Sequence, residues 1–345
     1  DNSEVSFIEM ASVSNAGKIL DKIDRPFSDV KGGSYRYFLN GDIIIAKITP
    51  CMENGKCAIV GGLTNGVGFG SSEFHVIRTS PKLNNKYLFS LLNRDIIREY
   101  AESNMTGASG HRRVPESFYS ELLIPLPPIN IQKKIVDEID LIGTKETILL
   151  AEIEELQNSI FLKFESFPKQ SVSSICKIST RKENPSSYPD KEYVYLGLEH
   201  IESNTGKVTM NMELGENILS SKNKFKSGDI LYGKLRPYLN KVLLVDFEGI
   251  CSTDIIVLET RIPSILKYAL RAPEFVKQTT DLMSGTSLPR IKPKDFLALP
   301  ISIPTSKEEP SVIDEIEKIE AKIKSLEKQI EEIPNQKESV LKKYL

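Results

Sequence analysis

The chain has 345 residues, 27% of them charged and 40% hydrophobic, so it has enough apolar side chains for more than one core. Its formal net charge of −2 excludes a uniformly basic protein but leaves room for local separation of charge. No apolar run approaches the ~18 residues of a membrane helix and no signal peptide is visible, so no membrane partner is expected. Four cysteines and three histidines lack metal-site spacing, which indicates reduced thiols in a cytoplasmic protein and no metal site.

The first globular segment, residues 1–129, begins with short runs rich in β-branched residues. DIIIAKI, KCAIVGG and EFHVIRT are separated by glycine, asparagine and serine, a pattern typical of short strands. A helical segment is predicted around 84–101, and a glycine-flanked loop, MTGASGHRRV, follows it. We expect an α+β fold with a mostly antiparallel, partly barrel-like sheet.

A long helix is predicted over residues 130–166. From Ile135 to Ile160 the apolar residues step by four and three, which is the heptad pattern of a coiled coil. The helix has more acidic than basic residues, which favours a protein partner over phosphates.

The second globular segment, residues 167–306, carries the runs YVYLGLE, DILYGKL, KVLLVDF and DIIVLET and a helical segment around 263–280. Its lead-in, roughly residues 167–194, has no counterpart in the first segment, so the first segment is expected to be incompletely represented at its N-terminus. Lysines cluster within 220–241, where a local positive potential would suit a polyanion.

A second long helix is predicted over residues 307–345. Its heptad pattern runs from Val312 to Tyr344, and Pro334 is expected to kink it. Two such helices, each after one globular segment, predict antiparallel pairing into a spacer with the globular segments at opposite ends.

An internal repeat relates the two halves of the chain. GDIIIAKITP (41–50) matches GDILYGKLRP (228–237), MTGASGHRRV (105–114) matches MSGTSLPRI (283–291), and IPLPPINIQKKIVDEI (124–139) matches ISIPTSKEEPSVIDEI (301–316). The chain is therefore two copies of one unit, each a globular part followed by a helix.

The stretch GDILYGKLRPYLNK (228–241) is interpreted as a strand with tyrosines and cations on one face, which favours nucleic-acid contact. Lys47 aligns with Lys234, which predicts a phosphate contact or a shared scaffold. Cys51 aligns with Tyr238, and the differences of Thr49 against Arg236 and Glu53 against Asn240 suit discrimination between bases. Arg236, Tyr238 and Asn240 are therefore the candidates for reading sequence. The predicted DNA contacts are Lys47, Thr49, Ser109, His111, Arg112, Arg113, Lys224, Lys226, Tyr232, Lys234, Arg236, Tyr238, Asn240, Lys241, Ser287, Arg290 and Lys292.

These features together resemble the specificity subunits of Type I restriction-modification systems. The resemblance rests on GDILYGKLRPYLNK…GICSTDIIVLE, GDIIIAKITP…GFGSSEFHVIR and IPLPPINIQKKIVDEI, and on the order of domain, helix, domain and helix. One departure is that residues 304–309 replace the usual Pro-Pro-x-x-x-Gln. The resemblance implies two target-recognition domains that each read half of a bipartite double-stranded DNA target. Two modification subunits with S-adenosylmethionine and ATP-driven restriction subunits would be its partners, and this chain would be non-catalytic and hold no cofactor.

Motifs for catalysis are not recognisable in the sequence. There is no P-loop, and the glycines of 66–70 have the wrong spacing for a dinucleotide fingerprint. Two alternatives stay open: the DNA-recognition part of a fused Type II restriction-methylation enzyme, with its catalytic motifs outside this fragment, and a structural coiled-coil adaptor.

Overall fold

The structure is a computed structural model that describes residues 3–108, 110–285 and 287–345. It contains two compact units of mixed α and β structure, the first within residues 1–148 and 329–345 and the second within residues 149–328. In the described part of the chain, no helix combines the length and the hydropathy needed to span a bilayer.

The first unit contains seven short strands, which are β1 (Glu4–Ile8), β2 (Ile23–Pro26), β3 (Arg36–Leu39), β4 (Ile43–Ala46), β5 (Cys57–Ile59), β6 (Val67–Gly70) and β7 (Phe74–Ile77). Its helices are α1 (Phe27–Val30), α2 (Asn85–Leu92), α3 (Asp95–Ser103), α4 (Glu116–Glu121) and the first part of α5 (Ile129–Glu165).

Two sheets form the globular part of the first unit. One has the order β2-β1-β6-β3 and the other the order β5-β4-β7. All neighbours are antiparallel except β1 and β6, which are parallel. Buried side chains from both sheets, including Ile8, Phe38, Ile44 and Phe74, form a shared core.

The second unit contains the strands β8 (Lys169–Ser171), β9 (Cys176–Ile178), β10 (Lys182–Glu183), β11 (Glu192–Leu196), β12 (Met212–Leu214), β13 (Lys222–Phe225), β14 (Ile230–Gly233), β15 (Val242–Leu244), β16 (Gly249–Cys251), β17 (Ile255–Thr260) and β18 (Pro300–Ser302). Its helices are α6 (Val172–Ile175), α7 (Pro263–Arg271), α8 (Pro273–Asp281), α9 (Pro293–Ala298) and most of α10 (Glu309–Glu331), and α11 (Ile333–Tyr344) belongs to the first unit.

The strand order of the second unit repeats that of the first. The order β12-β11-β16-β13 reproduces β2-β1-β6-β3, again with one parallel pair, and β15-β14-β17 reproduces β5-β4-β7. The lead-in adds β10 to the edge of β13 and β9 to the edge of β17. The internal repeat found in the sequence is therefore also a repeat of topology.

Three local expectations need correction. The sheets of the described residues are open, so the partly barrel-like sheet is not found. Each predicted helix after the last strand is two helices, α2 and α3 or α7 and α8, and in the second unit the break falls at Pro273. Pro334 does not kink a continuous helix, because α10 ends at Glu331 and Pro334 lies in the first turn of α11.

In the first unit, the beginning of α5 packs against α2 and α11. Ile135 and Val136 share a buried cluster with Tyr87 and Leu91 of α2 and with Val340 and Leu341 of α11. Glu138 accepts a hydrogen bond from the Lys343 ammonium, and Glu146 accepts one from the Lys337 ammonium, both at 2.8 Å. Partner numbers fall along α11 as they rise along α5, so the two helices run antiparallel here.

In the second unit, the end of α5 packs against the beginning of α10. Ile160 and Phe164 share the largest core cluster with Val312 and Ile316. Lys163 pairs with Glu315, and Lys322 lies 2.7 Å from Glu152, so the direction is again antiparallel.

Candidate nucleic-acid interface

The Gly-Asp pair at the start of each central strand forms the same tight turn. Gly41 and Gly228 have φ values of +90° and +87°, a left-handed region that glycine enters without a Cβ clash. The buried Asp42 carboxylate accepts the backbone N–H of Leu39 at 2.7 Å, and Asp229 accepts that of Lys226 at 2.8 Å. The shared Gly-Asp pair therefore sets backbone geometry and is not presented to a ligand.

The strand predicted over 228–241 ends at Gly233. Ile230, Leu231, Tyr232 and Gly233 are all buried, so both faces of β14 are covered. Tyr232 is only 3% exposed and its ring centroid lies 4.6 Å from that of Phe296. The prediction that Tyr232 contacts DNA does not fit this burial, because the tyrosine is part of the core.

In the first unit, an Arg–Glu ion pair and the Lys47 backbone connect the chain beyond β4 with the turn before β7 and with residues 113–114. Arg113 donates from Nε and Nη2 to the two carboxylate oxygens of Glu73, each at 2.9 Å. The backbone N–H of Lys47 donates to the Glu73 carbonyl at 3.0 Å, and the Lys47 carbonyl accepts the N–H of Val114 at 2.9 Å.

The second unit repeats this arrangement with an aspartate. Arg290 donates from Nε and Nη2 to the Asp254 carboxylate at 2.8 and 3.0 Å. The N–H of Lys234 donates to the Asp254 carbonyl at 2.9 Å, and the Lys234 carbonyl accepts the N–H of Ile291 at 3.0 Å. We call Lys47, Glu73 and Arg113, or Lys234, Asp254 and Arg290, the Lys–acid–Arg frame of their unit.

The charges of the frame shift one another's titration. The Arg113 guanidinium lowers the pKa of Glu73 through its hydrogen bonds, and Arg290 lowers the pKa of Asp254 in the same way. Burial, followed by the nearby Arg36 charge, lowers the pKa of the half-buried Lys47 ammonium.

The lowered carboxyl pKa values predict how the frame responds to acid. A carboxyl with a depressed folded pKa contributes stability above its unfolded pKa of ~4, and this contribution disappears as pH falls through the lower folded value. We therefore expect Arg113→Met to destabilise the chain at pH 6 and to lose that effect in strong acid. Urea unfolding of both proteins from pH 6 to pH 3 measures it, and a destabilisation that is independent of pH would contradict it.

Next to the frame of the second unit lies a short turn, residues 236–240, which we call the tip of that unit. After Lys234 the chain passes through Arg236, whose φ of 50° is left-handed and uncommon for a residue with a Cβ. The Arg236 N–H donates to the Pro289 carbonyl at 2.8 Å, while its side chain is exposed. Tyr238 is 45% exposed. An exposed guanidinium and an exposed aromatic ring thus extend from this turn.

The corresponding tip of the first unit is chemically different. Thr49, Cys51 and Glu53 occupy the positions of Arg236, Tyr238 and Asn240, and all three are half-buried. The Thr49 hydroxyl and the Asn240 amide oxygen are buried without a hydrogen-bond partner among the described residues. In this conformation neither atom is presented to a base, so Thr49 and Asn240 fit their predicted role poorly.

The other predicted contacts are distributed more widely. Lys224 lies 3.3 Å from Glu183, Lys241 donates to the Leu198 carbonyl at 2.7 Å, and Arg112 donates to the Glu102 carbonyl at 2.7 Å. The side chains that are exposed are those of His111, Lys226, Ser287 and Lys292. Ser109 lies outside the described residues. The structure brings the frame and the tip together in each unit, whereas Lys224 and Lys226 lie on and just after β13.

Sequence reasoning missed the acids of the frame. Glu73 and Asp254 occupy equivalent positions in GFGSSEFHVIR and GICSTDIIVLE, so the signal was an acidic residue retained in both copies. The described residues contain no cluster of three or more histidine, cysteine or acidic side chains that could hold a metal ion. All four cysteines are free thiols.

Comparison with known proteins finds similarity to specificity subunits of Type I restriction enzymes. Residues 1–158 match the family model described as the Type I restriction modification DNA specificity domain. The chain is 44% identical over 138 residues to the EcoAI specificity subunit of a Type I restriction enzyme from Escherichia coli, a match that covers 39% of this chain and 23% of that protein. It is 30% identical over 158 residues to the EcoDI specificity subunit from the same organism, covering 45% of this chain and 35% of that one.

A solved structure shares the fold. It comes from work on complex assembly and conformational transition of the type I R-M system, has a TM-score of 0.55 at 19% identity, and the match covers 99% of this chain and 92% of that one. The sequence matches, by contrast, span about a quarter to a third of the length of the curated relatives.

Proposed function

We propose that the chain, whose residues 1–158 match the Type I restriction modification DNA specificity domain, is a DNA-recognition subunit in which each unit reads one half of a bipartite target. The observation that carries the proposal is the repeated Lys–acid–Arg frame. The same frame positions the same two loops in both units, while the tip that it holds differs between them. A common scaffold with different tips suits two half-sites of different sequence.

The proposed contacts follow from what each side chain is free to do. Arg236 and Tyr238 are the base-reading candidates of the second unit, because both side chains are exposed. Lys47 and Lys234 suit phosphate, while Arg113 and Arg290 hold the loops in position. Lys226, Lys292 and His111 add exposed positive or titratable groups.

The long helices would set the unread gap between the two half-sites. The helix α5 has 37 residues, or about 55 Å at 1.5 Å per residue, which is comparable to about one and a half turns of B-DNA at ~34 Å per turn. Coupling two weak half-site contacts through one chain also raises affinity through effective concentration.

The chain is proposed to be non-catalytic. Two modification subunits would dock on the acidic helices and bind S-adenosylmethionine, restriction subunits would use ATP, and this chain would hold no cofactor. The relatives with matching sequence are specificity subunits, which supports the division of labour. A cytoplasmic location, where the genome is accessible, completes the proposal.

Selection from random DNA tests this function. The chain is purified with a Type I modification subunit from its own organism and is used to enrich fragments from a pool of randomised duplexes. We expect a target of two short defined sequences separated by a fixed unread gap. Enrichment of one continuous site, methylation or cleavage by the chain alone, or absence of DNA binding in the complex would each contradict the proposal.

A further inference from the structure

The last residue of the tip in the second unit is tied to the junction between α7 and α8. The Asn240 carbonyl accepts the N–H of Asn204 at 3.2 Å, and the Asn240 side-chain Nδ2 donates to the Arg271 carbonyl at 3.3 Å. Residues 237–239, in the middle of the tip, pack against α8. The conformation of the tip therefore depends on this junction as well as on the frame.

Two buried polar atoms at the junction are unpaired, and their chemistry is complementary. Asn240 Oδ1 is an acceptor and Arg271 Nε carries a donor hydrogen, and neither has a hydrogen-bond partner among the described residues. The two atoms belong to residues that are already joined by the bond from Asn240 Nδ2 to the Arg271 carbonyl. Because each unpaired buried polar atom costs stability, a movement that joins the two would remove both costs at once.

The charge of Arg271 is also poorly compensated. Arg271 is 5% exposed, and its guanidinium lies 5.9 Å from the centroid of the Tyr268 ring. The Glu320 carboxylate of α10 already pairs with Lys267 and accepts the Tyr268 hydroxyl at 2.9 Å. Burial lowers the pKa of Arg271, so its surroundings do not replace the lost water. A buried charge of this kind costs stability, and such groups are concentrated at functional sites.

Among the described residues, the first unit has no such link between tip and helices. Asn93 stands at the position of Arg271, two residues before α3 as Arg271 is two residues before α8. Its carbonyl accepts a hydrogen bond from Arg98 of α3 at 3.1 Å. Glu53, at the position of Asn240, has no side-chain donor for that carbonyl when ionised. The complementary unpaired atoms therefore belong to the unit whose tip exposes an arginine and a tyrosine.

We propose that Arg271 and Asn240 are positioning residues for target recognition by the second unit, and that their side chains pair with each other when the tip engages DNA. In the unbound protein, Asn240 holds the tip only through the Arg271 carbonyl. When Arg236 and Tyr238 bind the target, a small shift of the tip brings Asn240 Oδ1 to Arg271 Nε. The new hydrogen bond fixes the tip in its reading conformation. This inference rests on the proposed function, and it assigns Arg271 and Asn240 no contact with DNA.

Arg271→Met tests the proposal in the complex of the full chain with a Type I modification subunit. The change removes the donor and the charge but keeps the carbonyl that Asn240 Nδ2 bonds. We expect affinity for the selected target to fall about tenfold. The urea midpoint of the chain should stay equal or rise, because an apolar side chain replaces a poorly compensated buried charge. A residue that only supported the fold would lower affinity and stability together.

Lys267→Met is the matched control. It removes one positive charge from the same helix, one turn before Arg271, and it breaks the pair with Glu320. We expect it to lower stability and to leave affinity for the target unchanged.

Asn240→Gly tests whether the two residues act through each other. Glycine keeps the left-handed φ of 49° and removes the side chain. We expect this variant to lose at least as much target affinity as Arg271→Met. Adding Arg271→Met to it should cause no further loss, because the bond between the two side chains is already absent.

Three results would overturn the proposal. They are unchanged target affinity in Arg271→Met, an equal loss in Lys267→Met, and a further loss of about tenfold when Arg271→Met is added to Asn240→Gly. If the unmodified complex selects a bipartite target that Arg271→Met binds equally well, this inference fails and the proposed function stands. If the unmodified complex selects no target, both fail.

Discussion

Replacing Gln132 by glutamate is expected to destabilise the first unit strongly. Gln132 is fully buried at the start of α5. Its Oε1 accepts the Asn84 N–H at 2.8 Å, and its Nε2 donates to the carbonyls of Lys82 at 3.0 Å and Pro127 at 2.8 Å. A glutamate would turn a buried carboxylate oxygen toward two carbonyls, with both carbonyls left unpaired. At about 1–3 kcal/mol for each unsatisfied buried group, we expect a loss of about 2–6 kcal/mol.

The second unit offers the matched control. Glu309 occupies the position of Gln132 and forms a bidentate pair with Arg261 at 2.7 and 2.8 Å. Arg261 is exposed and keeps access to water, so Glu309→Gln is expected to cost much less than Gln132→Glu. Urea unfolding combined with amide hydrogen exchange in each unit measures both changes. Equal losses, or a Gln132→Glu loss confined to the second unit, would contradict the prediction.

Gln132 and Glu309 also show which features could be predicted from the sequence and which could not. The departure of residues 304–309 from Pro-Pro-x-x-x-Gln was visible in the sequence, but the arginine that compensates for Glu309 lies 48 residues away and is identified only by contact. The Glu73–Arg113 and Asp254–Arg290 pairs were not predicted for the same reason, because their partners are distant in the sequence and meet only in the fold. Strands and the repeat were predictable because they depend on local β-branched runs and on similarity between copies.

The predicted strand over 228–241 was too long, and the backbone explains why. The alternation of side chains continues through Arg236 and Tyr238, so the pattern alone predicts a longer strand. Pro237 lacks an N–H for the ladder, and both Arg236 and Asn240 adopt left-handed φ values, so the chain leaves the sheet after Gly233. Periodicity records where side chains would point in a strand, and it does not record whether the backbone stays in one.

Arg236→Gly is expected to lower affinity for the selected DNA target about 5- to 150-fold while the chain stays folded. The range corresponds to about 1–3 kcal/mol for the loss of one base contact. Stability should change little, because glycine adopts the left-handed φ of 50° without strain, which offsets the entropy that glycine adds to the unfolded chain. Fluorescence anisotropy with target duplex at several salt concentrations, together with a thermal melt, measures both quantities.

The salt dependence of the Arg236 variants separates two kinds of contact. If Arg236 reads a base through two parallel hydrogen bonds, Arg236→Lys keeps the charge but should still lose discrimination, because an ammonium lacks the planar fork. If it only contacts a phosphate, the lysine variant should bind nearly normally, and the glycine variant should reduce the salt slope by about 0.9. Unchanged affinity and an unchanged slope in both variants would remove Arg236 from the interface. Base reading in the second unit would then depend on Tyr238, because the frame fixes the backbone and leaves that ring as the other free group of the tip.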